Sequence, residues 1–220
     1  MRIARILVWW MRDYAYAGFW QLRATFDRTD PATFRTGQGT PVVILPGVYE
    51  TWKFLQPLVA ALHENGHPVH VVELLRRNRH PVTQMAEKVT AYLEQHDLRG
   101  VVLVAHSKGG LVGKQVMVGP AGDRVRSMVA VATPFGGSRY ARMLPARSLR
   151  LFSPRDATIL ALGGQSSVNS RIVSIYGTFD PHIPERSELA GGRNIMLPTG
   201  GHFRILAHPR VLAEVEAAAA

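Results

Sequence analysis

Three residues able to share one reaction, Ser107, Asp180 and His202, stand in that chain order, each close behind a strand-like run. A serine hydroxyl is a weak nucleophile at neutral pH. It needs a base to take its proton and a third group to orient that base. Ser107 follows the aliphatic run Val101, Val102, Leu103 and Val104, and precedes a helix-capable stretch with Leu111, Val112, Val116 and Met117. Strand, sharp turn and helix is the geometry that lifts a serine Oγ above the end of a sheet, and the order serine, acid, histidine accompanies it. Such a turn needs small residues two before and two after the serine, and Ala105 and Gly109 occupy those places. The alternative for this stretch is a glycine-rich turn whose serine only caps the helix.

The acid comes from Gly177-Thr178-Phe179-Asp180 and the base from Thr199-Gly200-Gly201-His202, each after a strand-like run. Open α/β sheets hold their ligands at the carboxyl ends of strands, so all three groups are expected at one edge. A tetrahedral oxyanion needs two backbone N–H donors. The N–H of Lys108, just after the serine, is one candidate. That of Val48, in the loop Leu45-Pro46-Gly47-Val48 after the first core strand, is the other. The Lys108 side chain is expected at the solvent or the pocket rim, without chemistry.

Other titratable groups fit quieter roles. His63, His67 and His70 suit solvated or packing positions, His106 packing beneath the serine turn, and His208 the start of the last helix before Pro209. His182, close behind Asp180, suits a substrate contact and stands too near the acid in sequence to be the first choice of base. Asp156 is an alternative acid, but a helix cap explains it.

The elements that must position these residues alternate. Strand-like runs occur at 42–45, 69–74, 101–106, 127–132, 171–176 and 194–197, with helical spacing of apolar residues over 52–64 and 82–95. Alternation with near-continuous apolar strands predicts an α/β fold with a doubly wound, mostly parallel sheet. The stretch from 133 to about 170 holds Arg139, Arg142, Arg147, Arg150 and Arg155. It is too short for a domain and suits a short helical lid, about 134–170. Ser153-Pro154-Arg155-Asp156 reads as a helix start inside it.

Residues 1–40 read as an N-terminal aromatic and basic segment with a linker, and 41–220 as the domain proper. Trp9, Trp10 and Trp20, three of the four tryptophans, lie in the first twenty residues. Drawn as a helix, Ile3, Ile6, Leu7, Trp10, Tyr14 and Gly18 share one face, while Arg2, Arg5, Arg12, Trp9, Tyr16 and Trp20 gather on another. The apolar run 6–11 is far short of the ~20 residues that span a bilayer, and Arg12 and Asp13 end it too early for a signal peptide. Two roles remain: a helix docked on the domain, or an interfacial helix in peripheral contact with a membrane. The chain is expected in the cytoplasm on this reading.

Without cysteine, a disulfide framework, a thiolate nucleophile and thiolate-bound zinc are excluded. The net charge of +10 rests on 22 arginines against 4 lysines, a balance suited to carboxylates, phosphates and anionic headgroups. No nucleic-acid-reading motif accompanies it.

With these residues in place, the chain from Pro41 onward resembles the α/β-hydrolase superfamily, and within it compact lipase and esterase-like members. The likeness rests on Leu45-Pro46-Gly47-Val48, Ala105-His106-Ser107-Lys108-Gly109-Gly110, Gly177-Thr178-Phe179-Asp180 and Gly201-His202. Thr133-Pro134-Phe135-Gly136-Gly137-Ser138 is similar to the Thr-Pro-x-x-Gly-Ser stretch of many lipases. Pro46 stands where many relatives carry histidine before glycine. The resemblance implies a serine hydrolase acting on a small-molecule or lipid carboxylic ester, with Ser107, Asp180 and His202 catalytic and no cofactor or metal. The same fold serves thioesterases, acyltransferases and non-catalytic binding proteins.

Overall fold

The computed structural model describes residues 2–143 and 147–220. Helix α1 (Arg2–Phe26) leads into β1 (Val42–Leu45), α2 (Gln56–Glu64), β2 (Val69–Val71), α3 (Val82–Gln95), β3 (Val101–His106) and α4 (Lys108–Val118). Then come β4 (Val125–Val131), two short helices α5 (Arg147–Arg150) and α6 (Ala157–Gly164), β5 (Ile172–Phe179), β6 (Arg193–Gly200) and α7 (Pro209–Ala219). The six strands form one sheet in the order β2-β1-β3-β4-β5-β6, parallel throughout.

The core strands are buried on both faces, which is why they read as unbroken aliphatic runs. Their period of two divides them between two cores. Val43, Leu45, Leu103, Ala105, Met128 and Ala130 face α3, α4 and α6. Val42, Ile44, Val102, Val104, Val129 and Val131 face α2 and α7. Because every strand runs the same way, the loops after β1, β3, β5 and β6 leave from one edge.

Several element limits differ from those the sequence suggests. The strand expected over 69–74 is only three residues long, since Glu73–Leu75 closes into a 3-10 turn. The helix expected over 52–64 begins as a separate 3-10 turn, Trp52–Leu55, before α2. β5 and β6 run on to Phe179 and Gly200, because their pairing with one another continues past the apolar residues. In the expected lid, α6 starts later than Ser153: Asp156 caps it, accepting from Thr158 N at 2.9 Å. Residues 144–146 of that lid, and the side chains of Arg142 and Arg147, lie outside the described residues.

Helix α1 packs against the sheet edge. Its inner stripe is Trp9, Asp13, Tyr16, Ala17 and Trp20, with Asp13 fully buried. The docked face is therefore the one carrying tryptophan and tyrosine, and the aliphatic face of Ile6 and Leu7 points outward.

Candidate active site

Ser107 closes the turn between β3 and α4 with φ 51° and ψ −120°. That backbone is strained for a residue with a Cβ, and such strain is held only where the surroundings over-determine it. Here the Ser107 N–H donates to Val131 O at 2.8 Å, extending the β3–β4 ladder into the turn. The small residues after the serine are demanded by contact. A Cβ on Gly109 would stand 2.0 Å from the Leu45 carbonyl oxygen, and one on Gly110 2.0 Å from Thr133 Oγ1.

Ser107 Oγ lies 3.0 Å from His202 Nε2, and His202 Nδ1 lies 2.8 Å from Asp180 Oδ2. The residues come from the carboxyl ends of β3, β5 and β6, as the parallel sheet requires. Asp180 is held in turn by its other oxygen, which accepts from His182 N at 2.7 Å and Ile183 N at 3.1 Å. Burial pushes the Asp180 carboxyl up, but the His202 ring and these hydrogen bonds outweigh it and keep it below the usual carboxylate range. For His202, burial works against the charged form. The Asp180 carboxylate overcomes it, helped by Glu50 and Asp13, and the imidazole ends above its ordinary value.

Above Ser107 and His202 opens a cavity of about 450 Å³. Val48, Tyr140, Leu149, Phe152 and Ile183 give it apolar walls, and Tyr14 of α1 stands at its side. His182 also lines it, its Nε2 3.0 Å from the Tyr14 hydroxyl. Burial and the neighbouring His202 charge lower the His182 imidazole to about 4, so it is neutral at ordinary pH.

Of the two candidate oxyanion donors, Lys108 directly follows the serine and Val48 lines the same cavity. Lys108 N is at the first position of α4, where backbone N–H groups have no intrahelical partner. Val48 N takes no hydrogen-bond partner among the described residues. The preceding Gly47 N–H is already used, donating to Glu50 Oε2 at 2.7 Å.

No protein-family model and no curated protein matches this sequence. Solved structures do match in fold. Aspergillus fumigatus lipase B superposes with a TM-score of 0.67 at 18% identity, covering 87% of this chain and 56% of that one. The Bacillus licheniformis lipase BlEst2 gives 0.61 at 17%, covering 82% and 89%. A putative non-heme bromoperoxidase from Mycobacterium tuberculosis gives 0.62 at 18%, covering 83% and 92%. The chain has the α/β-hydrolase fold.

Within this α/β-hydrolase fold, one expectation about the site is overturned. The Lys108 side chain is not at the solvent or the pocket rim but fully buried. Its Nζ donates to Asn78 O at 2.7 Å and to His80 O. The loop at 76–80 turns those carbonyls inward, with Arg76 and Asn78 both at positive φ, and the ammonium satisfies them. Burial lowers it to about 8.

Two acids beside the site escaped the sequence reading. Glu50 bonds His106 Nδ1 at 2.9 Å as well as Gly47, and His106 Nε2 lies 2.9 Å from His202 O. His106 therefore sits beneath the turn as part of a buried polar chain joining the β1 loop to the β6 loop. Asp13 holds the β6 loop directly, through three backbone N–H groups. Its Oδ2 accepts from His202 N at 2.8 Å, and its Oδ1 from Phe203 N at 2.8 Å and Arg204 N at 2.7 Å. The helix fits because the loop lacks side chains there: a Cβ on Gly200 would meet Trp9 at 2.4 Å, and one on Gly201 would meet Asp13 at 2.4 Å. The one available signal was an acid alone in an aromatic and basic helix.

The remaining candidates lie elsewhere. Asp156 is spent as a helix cap, and His208 caps α7 by accepting from Arg210 N. His67 bonds Thr40 O and Glu216, and His70 lies against Tyr92. None of these four touches the Ser107 cavity.

Proposed function

We propose that this protein is a serine hydrolase that cleaves a carboxylic ester with an apolar acyl group through an acyl-enzyme. The observation that carries the reading is the continuous hydrogen-bonded chain from Asp180 through His202 to Ser107 Oγ, opening into an apolar-walled cavity. Ser107 Oγ attacks the ester carbonyl while His202 Nε2 takes its proton. Asp180 holds the Nδ1–H tautomer and stabilises the imidazolium that forms. The N–H groups of Val48 and Lys108 receive the negative oxygen of the tetrahedral intermediate. His202 then protonates the departing alkoxide, and water, activated by the same imidazole, releases the acid. The substrate is a small-molecule or lipid ester, its acyl part against Leu149, Phe152 and Ile183. The lipases among the fold neighbours support this class, as does the apolar lining.

A fluorophosphonate probe tests the proposal directly. Labelling of the folded protein that disappears in Ser107→Ala and falls sharply in His202→Ala is the expected result. A folded wild type that neither labels nor hydrolyses aryl esters from acetate to laurate would sink the reading and favour a binding protein on this fold.

A further inference from the structure

Helix α1 is apolar on two opposite sides. Its inner stripe is packed on the domain, yet Leu7, Met11, Phe19, Leu22 and Phe26 are each more than half exposed on the other. Leu7, Met11, Gly18 and Leu22 follow one another at helical spacing along the outward line. A surface helix of a globular protein normally turns a polar face to water, so a helix that exposes a second apolar stripe is suited to a second apolar environment.

What covers that stripe is indicated by the residues on its flanks. Arg5, Arg12 and Arg23 lie along one side, Arg5 over the Trp9 ring and Arg23 over the Trp20 ring. The acid in this helix, Asp13, is buried and spent on the His202 loop, so the helix itself exposes no negative charge beside them. Trp10 and Tyr14, packed edge to face, form the other side. A lone apolar stripe between arginines and interfacial aromatics is the pattern of a helix lying at a bilayer surface, its aliphatic side chains among acyl chains and its guanidinium groups among phosphates. No helix among the described residues is long and apolar enough to cross a membrane, and the overall charge of +10 favours an anionic leaflet. Position adds a further reason. Tyr14 lines the Ser107 cavity, and Ile6, Leu7 and Trp10 line an adjoining one with Tyr140 and Ile183.

We infer that the outward face of α1 is a monotopic docking surface for an anionic lipid membrane, holding the mouth of the Ser107 cavity beside the lipid. The docking stands on the helix alone. Only the delivery of lipid esters into the cavity rests on the hydrolase reading.

Co-sedimentation with phosphatidylcholine vesicles, with and without 30 mol% phosphatidylglycerol, tests it on the full chain. Wild type is expected on anionic vesicles, roughly tenfold or more above neutral ones. The triple variant L7E/M11E/L22E changes only exposed side chains and should lose at least tenfold in partitioning while keeping its thermal midpoint. Ser107→Ala should bind like wild type, so a failure of the hydrolase reading leaves this readout intact. Absence of binding, or equal binding by the triple variant, would overturn the inference. So would a wild type that is dimeric without lipid and becomes monomeric with those three substitutions, since the stripe would then cover a second copy of the chain.

Discussion

The two halves of the candidate site are held in different ways. Ser107 sits directly on β3, and the strand ladder itself continues into its turn through the bond from Ser107 N to Val131 O. His202 sits two residues beyond β6, the edge strand, just past the last bond of the ladder, Gly201 N to Phe179 O, at a Gly201 with φ 119°. Backbone N–H groups at 202–204 would be orphaned there, and a carboxylate from a helix 189 residues away satisfies them. A serine in the middle of a parallel sheet inherits its precision from strand pairing. A histidine at the edge must take its precision from a tertiary contact, and this chain supplies one through α1.

The contrast can be broken most forcefully on the sheet side. Gly109→Ala would place a Cβ against the Leu45 carbonyl oxygen, backbone on a rigid central strand with no means of yielding. A cost of about 3 kcal/mol in stability is expected, with hydrolysis falling to near background because the turn must shift. Denaturant unfolding and ester turnover check both. A near-normal variant would mean that the serine turn is looser than its φ of 51° implies.

On the edge side a smaller, more selective effect is expected. Asp13→Ala leaves three N–H groups without their acceptor in a place where little water reaches. A loss of about 2 kcal/mol is expected, with kcat down roughly tenfold to a hundredfold as the imidazole loses its fixed position. The central sheet should be untouched, so hydrogen exchange should quicken in the 200–206 loop and in α1 but stay slow in β3 and β4. Equal quickening in all of them would mean that α1 supports the fold as a whole rather than the base loop.

That difference also explains what could be read from the chain. The meeting of Ser107, Asp180 and His202 at one sheet edge was legible because strand runs and glycine turns are local patterns, and parallel strands put their ends together without further information. α3 spans Val82–Gln95, the range that its apolar spacing predicts. Strand ends were less legible: β5 and β6 extend through Gly177 and Thr199, held by pairing with each other and not by hydrophobicity. Asp13 and Glu50 were harder still to read, for a related reason. Each is a single acid whose partners are backbone groups or a histidine far along the chain, and no spacing rule announces such a bond. The direction of the Lys108 side chain depended likewise on inward-facing carbonyls in a loop whose positive φ values occur at an arginine and an asparagine.

The finest test separates charge from position. Both Glu50 and Asp13 raise the His202 imidazole, Glu50 by the larger amount. In the proposed mechanism His202 acts as neutral imidazole, so kcat/KM should fall as pH drops through the His202 pKa, and that limb should lie above the ordinary histidine value. Removing either anion stabilises the imidazolium less and lowers the pKa, so activity should persist to lower pH. Glu50→Gln keeps one carbonyl oxygen for both Gly47 N and His106 while deleting the charge, whereas Asp13→Asn keeps its oxygen for Phe203 N and Arg204 N but loses the acceptor of His202 N along with the charge. Both variants should move the acidic limb of kcat/KM downward, Glu50→Gln further than Asp13→Asn. A limb that stays put while kcat falls would assign Asp13 to holding the loop alone; a limb that moves more for Asp13 than for Glu50 would make the helix, and not the sheet side, the main electrostatic neighbour of the base.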